Sequence, residues 1–157
     1  MADKRSAGLL LFRRAAGDTE VLIAHMGGPF WERRDAGAWS VPKGEYGPQE
    51  EPRDAARREF AEELGLPPPE GEYVPLGDVR QTGGKVVTVW AAEGDLDPGL
   101  VEPGTFTMEW PRGSGVMRVF PEVDRVAWFG VERARAKLVA AQTVFLDRLT
   151  AHLEGVR

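Results

Sequence analysis

The chain of 157 residues contains no cysteine, which excludes disulfide bridges and thiolate metal sites. Nitrogen ligands are scarce too, because the only histidines are His25 and His152. His25 lies in an apolar run and reads as a satisfied strand histidine rather than a catalyst, and His152 falls in the C-terminal helix, away from any candidate site. No hydrophobic run approaches the length needed to span a bilayer, and the opening residues MADKRSAG carry no secretory apolar segment, so a cytoplasmic protein is expected. Surplus positive charge is lacking as well. A net charge of -5 argues against bulk affinity for nucleic acid, although local basic residues can still grip a phosphate chain. Internal repeats, low-complexity tracts and interdomain linkers are all missing, so residues 1–157 are expected to form one domain with a sizeable core.

What is present reads as alternating strands and helices. Ser6 to Phe12 and Val21 to His25 are apolar runs joined by the turn-like Ala16-Gly17-Asp18, a hairpin pattern. Met26 to Ala38 is rich in glycine, arginine and aromatics and reads as a functional loop leading to a short strand over Trp39 to Val41. Further strands are expected over Tyr73 to Val79, Val86 to Ala92, Phe106 to Trp110, Val116 to Phe120 and Arg125 to Phe129. A helix from Val131 to His152, broken near Val139 to Ala141, closes the chain. Strands on both sides of a central helix, with a terminal helix, predict an α/β fold.

Chemistry concentrates between Gly44 and Leu66, in GEYGPQEEPRDAARREFAEELGL. Glu59, Glu62 and Glu63 stand at i, i+3 and i+4, which points all three carboxylates to one face of a helix. Like charges held together must take up protons or a cation. Oxygen ligands without cysteine or histidine favour Mg2+ or Mn2+, ions that keep waters and bind substrate phosphates. The plainer reading is a solvated acidic face paired with Arg53, Arg57 and Arg58 on the same helix. Gly44 follows Val41-Pro42-Lys43, where a loop must turn sharply. Pro48 and Pro52 frame the helix start, and Gly65 before Pro67-Pro68-Pro69 ends it.

Gly44, then Glu50 after five residues, Arg58 after seven more, and the run Glu59-Phe60-Ala61-Glu62-Glu63-Leu64-Gly65-Leu66 together resemble the Nudix box. Phe60 replaces the aliphatic residue usual in that family, a bulky apolar side chain serving the same buried position. The resemblance implies a Nudix-type α/β/α sandwich with a mixed β-sheet between helices. It also implies hydrolysis of a nucleoside diphosphate linked to a further group X, by water attacking phosphorus with divalent cations. Glu59, Glu62 and Glu63 become metal candidates and, with Arg58, catalytic ones, any one of the three carboxylates being able to polarise the water; the Lys43 carbonyl joins as a family-implied ligand, and Glu50 pairs with the helix start, including Arg58.

Many family members add a carboxylate six residues before the tryptophan of the last strand, and Glu122 stands in that relation to Trp128. Glu122 is accordingly a candidate fourth ligand or general base, against the alternative that Glu122 and Asp124 are solvated turn residues after Pro121. Glu109, between Met108 and Trp110, competes for that role because a charge among large apolar residues faces either water or a cation.

A base needs an aromatic platform and phosphates need Lys or Arg, which singles out Trp31, Tyr46, Arg33, Arg34 and Lys43 as substrate-binding candidates; Phe30, Trp39, Trp110, Phe120, Lys85, Arg112 and Arg118 are further ones. The segment from His25 to Trp31 with that from Trp39 to Glu45 looks like a bacterial branch of nucleoside triphosphate pyrophosphohydrolases related to the diadenosine polyphosphate hydrolases. Enzymes that cleanse oxidised guanine nucleotides, such as 8-oxo-dGTP, and non-catalytic nucleotide-binding modules remain the alternatives. A homodimer through the exposed hairpin or the C-terminal helix is compatible with the sequence, which does not establish it.

Overall fold

The computed structural model describes residues 4–155. Strands β1 (Arg5–Ala15) and β2 (Asp18–Met26) form the expected hairpin, turning through Ala16 and Gly17 with φ of 52° and 87°. Two central residues at positive φ match the twist of the strands they join. Both strands alternate: Leu9, Leu11, Leu22 and Ala24 fill one core layer, and Leu10, Phe12, Val21 and Ile23 the other. Period-two burial on both faces marks a sheet covered on each side.

Strand β3 (Trp39–Ser40) pairs with β2, and β4 (Lys43–Glu45) pairs with the start of β1. One edge of β1 is therefore divided, with Ser6 to Gly8 serving β4 and Phe12 to Ala15 serving β2. Along its other edge β1 runs parallel to β6 (Val86–Glu93), which pairs antiparallel with β5 (Tyr73–Arg80). Strand β9 (Val123–Gly130) adds antiparallel to β2, while β7 (Thr105–Glu109) and β8 (Met117–Pro121) form a separate two-stranded ribbon.

Helix α1 (Pro52–Leu64) sends Phe60 and Leu64, both fully buried, into the layer of Leu9, Leu11 and Leu22. Each such side chain contributes about 1.5–3 kcal/mol by leaving water. Pro52 stands in the first turn, and Gly65, at φ 69°, donates its N–H to the Ala61 carbonyl at 2.8 Å. Opposite, α2 (Val131–Lys137) and α3 (Thr143–Gly155) cover the other layer with Ala134, Phe145, Leu146 and Leu149. The result is the mixed sheet between helices that the sequence predicts.

Two details differ from the sequence reading. The short strand expected through Val41 ends at Ser40, and β4 is an additional strand formed because the box loop lies against β1. Met108 and Glu109 belong to the ribbon, whereas Trp110 lies beyond the end of β7. The terminal helix divides near Val139 to Ala141 as expected: Leu138 turns extended and bridges to Trp39, before a short 3-10 turn at Ala140–Gln142. No helix among the described residues is long and apolar enough to cross a membrane.

Candidate active site

Gly8 allows the box loop to approach the sheet. A Cβ there would lie 2.8 Å from the Pro42 carbonyl and 2.9 Å from the Lys43 Cβ, and Leu9 donates its N–H to that Pro42 carbonyl at 3.1 Å. Gln142, fully buried, accepts the Val41 N–H at 2.8 Å through Oε1 and donates through Nε2 to Ser40 Oγ at 3.0 Å. The loop thus enters the site held on both sides. One step further, a Cβ on Gly44 would overlap the Glu59 carboxylate, so the glycine is needed for close approach.

The three box carboxylates occupy distinct settings. Glu59 is buried, Glu62 is exposed, and Glu63 is half-buried with its Oε2 accepting the Lys43 N–H at 3.1 Å. Burial pushes the Glu63 carboxyl up to about 8, against the pull of Lys43, and the nearby Glu122 and Glu59 push the same way. Glu59 is also raised by burial, opposed by Arg58. Burial lowers Lys43, with Lys85 adding to the effect and Glu63, Glu45 and Glu59 opposing it.

Arg58 draws the charges together. Its Nε and Nη2 donate to Glu50 at 2.8 and 2.9 Å, and its Nη1 donates to Glu59 at 2.7 Å and Glu62 at 3.1 Å. This fork holds the guanidinium well above its ordinary range, with the Glu50 bonds as the largest cause. Glu50 therefore serves the helix start, as the sequence suggests, and stands apart from the inner carboxylates.

Lys43, Gly44, Glu45, Glu59, Glu62, Glu63 and Glu122 line one open cleft of about 360 Å3 with Gly104 and Thr105. Glu122 is placed by its backbone: its N–H donates to the Gly104 carbonyl at 2.8 Å, and its carbonyl accepts the Gly27 N–H at 3.0 Å. Gly104 and Thr105, which complete the cleft wall, fall between the strands expected over Val86 to Ala92 and Phe106 to Trp110, where the sequence carries no signal for a site. Glu109 is elsewhere; its carboxylate accepts the N–H groups of Gly113 and Gly115 at 2.8 and 3.0 Å and closes the ribbon turn. That removes the ground for treating Glu109 as a rival ligand.

Among the described residues, no three acidic or histidine side chains already converge on an ion position. The donors nevertheless fit a hard divalent cation. They are all oxygens, they are mutually repelling, and Glu59 and Glu62 share one guanidinium group, that of Arg58.

The remaining sequence candidates lie outside the carboxylate cleft. Trp31 packs against the core layer under α3, and the Arg34 guanidinium lies 5.8 Å from its ring centre. Arg33 is exposed on the same loop, and Tyr46 packs against Ala7, Ala55 and Ala56. Trp39 is buried, donating to Asp35 and meeting Phe129 edge-on. His25 is fully buried between Asp124 Oδ1 at 2.8 Å and the Arg34 carbonyl at 2.6 Å, the structural role expected of it.

The site is thus a carboxylate-bearing helix packed behind a glycine turn against a sandwiched mixed sheet, and it is the family match that gives it the chemistry of a pyrophosphohydrolase. The model of the NUDIX domain matches residues 3–149, and the chain belongs to the Nudix family. No curated protein matches the chain. Solved structures with the same fold include an Ap4A hydrolase from C. elegans in a binary complex, 23% identical with TM-score 0.67, covering 97% of this chain and 98% of that one. A MutT protein from Methanosarcina mazei Go1 is 20% identical with TM-score 0.65, covering 96% and 95%. The NUDIX domain of Shewanella oneidensis NrtR complexed with ADP ribose is 15% identical with TM-score 0.64, covering 98% and 90%.

Proposed function

We propose that this chain hydrolyses a phosphoanhydride bond in a nucleoside diphosphate linked to X, with Mg2+ or Mn2+, and that X makes the substrate a dinucleoside polyphosphate of the diadenosine tetraphosphate type. A nucleoside triphosphate is the simpler member of the same substrate class. The observation that carries this reading is the meeting of Glu59, Glu62, Glu63 and Glu122, from two distant segments, in one cleft beneath Gly44. A binding module needs no such concentration of mutually repelling carboxylates.

When bound, the cation would neutralise diphosphate oxygens and polarise the attacking water. Glu59, Glu62 and Glu63 are the residues to hold it, with the Lys43 carbonyl as a further oxygen. Glu122 is the candidate to take the proton of the water as its oxygen bonds to phosphorus and the anhydride oxygen leaves with the departing phosphate. Arg58 orients Glu59 and Glu62 rather than touching substrate. Lys43, which lines the cleft and whose ammonium is depressed by burial and then by nearby Lys85, is placed to receive phosphate charge.

Product analysis with magnesium over diadenosine tetraphosphate, ATP, 8-oxo-dGTP and ADP-ribose tests the assignment. ATP plus AMP from the dinucleotide, with slow turnover of the others, is the expected result. Preferential release of pyrophosphate from 8-oxo-dGTP would replace it with nucleotide sanitation, and no turnover of any of them would favour a binding module.

A further inference from the structure

We propose that the cleft beside the β7–β8 ribbon, walled by Trp110 and Phe120, seats a purine ring of the substrate. The proposal deepens the functional reading above and rests on it for the identity of the substrate as a nucleotide. The cleft measures about 230 Å3, and Glu32, Arg118, Pro121 and Asp124 complete its lining with these two rings. It is smaller than the ~300–1,000 Å3 pockets that enclose drug-sized ligands, and so suits one ring system rather than a whole nucleotide.

Its walls offer what a purine uses. Trp110 and Phe120 are both half-buried and line the cleft. Trp110 is braced edge-on by Phe30 at 5.3 Å, and Phe120 is backed by Phe106 at 5.9 Å. Gly28, at φ 95°, lets the loop settle on the ribbon, since a Cβ there would lie 3.0 Å from the Phe106 ring. Arg118 supplies donors for a ring nitrogen or oxygen, while Glu32 and the second oxygen of Asp124, whose first is engaged by His25, supply acceptors for exocyclic and ring N–H groups.

The cleft also stands beside the reaction centre. Pro121 walls it, the next residue, Glu122, lines the carboxylate cleft, and Thr105, the strand partner of Pro121, lines that cleft too. A phosphate chain leaving the ring therefore has only this one segment to round before meeting the carboxylates. Among the other aromatic candidates Trp39 is buried, and Trp31 and Tyr46 are half-buried away from this cleft, against the core and against Ala7, Ala55 and Ala56.

Equilibrium binding tests this, with calcium in place of magnesium to hold back turnover, using diadenosine tetraphosphate and base-free inorganic tripolyphosphate. Trp110→Ala should weaken the dinucleotide by roughly ten- to a hundred-fold, the loss of one base–aromatic stack, and leave tripolyphosphate unchanged. Trp110→Phe should recover most of the affinity. Equal weakening of both ligands would assign Trp110 a structural role, and unchanged dinucleotide affinity would place the base elsewhere; either overturns the proposal, as does failure of the native protein to bind the dinucleotide. The expected pattern in a protein that never turns over would keep the ring seat and discard the hydrolase reading.

Discussion

The Glu59 carboxylate lies where a side chain on Gly44 would begin. Any Cβ at that position must displace either the buried carboxylate or the loop held by Gly8 and Gln142. Gly44→Ala should therefore cost about 1–3 kcal/mol of stability through overpacking. It should lower kcat by at least roughly a hundredfold, because a displacement near 1 Å is enough for that. Thermal unfolding and steady-state kinetics on one preparation check both, and a fully active Gly44→Ala would show that the close approach is incidental.

Glu63 is half-buried beside a backbone donor and other carboxylates, so its charge is costly without a cation. Glu63→Gln should leave the cation-free protein as stable as the native chain where the carboxyl keeps its proton, and more stable as pH rises through about 8, since it removes the charge at constant shape. The native protein should gain thermal stability with Mn2+ by mass action, and the variant should gain much less. Equal stabilisation of both by Mn2+ would place the ion elsewhere.

The same carboxyl sets a pH dependence. Its ordinary value of 4.5 is raised to about 8 by burial, so its contribution to stability in the cation-free protein is fully present below about 4.5 and is lost as pH rises through 8. A cation competes with that proton, so binding should tighten between about pH 6 and about pH 8 and release protons on the way. Calorimetric titration in buffers of different ionisation enthalpy measures the release, and an affinity flat across that interval contradicts the assignment.

Glu122 and Glu109 separate by function. Glu122→Gln should reduce kcat by about 10²–10⁴-fold if it takes the proton of the water. Glu109→Gln loses charge-assisted bonds to Gly113 and Gly115, loosening the ribbon turn by about 1 kcal/mol with kcat nearly unchanged. The two variants assayed side by side decide it; a larger kcat loss in Glu109→Gln would reverse the roles.

Much of this site was legible because helical spacing is local. The common face of Glu59, Glu62 and Glu63, the left-handed cap at Gly65 and the burial of Phe60 all follow from periodicity within one element. The position of Glu122 came from its offset to Trp128, and the structure puts it in the cleft. Pairings between distant segments were not legible. Nothing local to Glu109 shows that Gly113 and Gly115 return to meet it, since that depends on the register of β7 against β8. Nor could the sequence say which aromatics are consumed by packing: Trp39 looks as available as Trp110 until β3 turns it into the core. The fork of Arg58 was half visible. Its link to Glu50 was expected, but its hold on both Glu59 and Glu62 depends on how the guanidinium lies across the helix.

The most direct test of the central claim is single-turnover hydrolysis of diadenosine tetraphosphate by the native chain and by Glu62→Gln, each with and without magnesium. Glu62 is exposed, so the substitution should leave the fold intact. Turnover by the native chain only with magnesium, reduced by several orders of magnitude in Glu62→Gln, is the predicted result. Native turnover without a divalent cation, or near-native rates in Glu62→Gln, would contradict it.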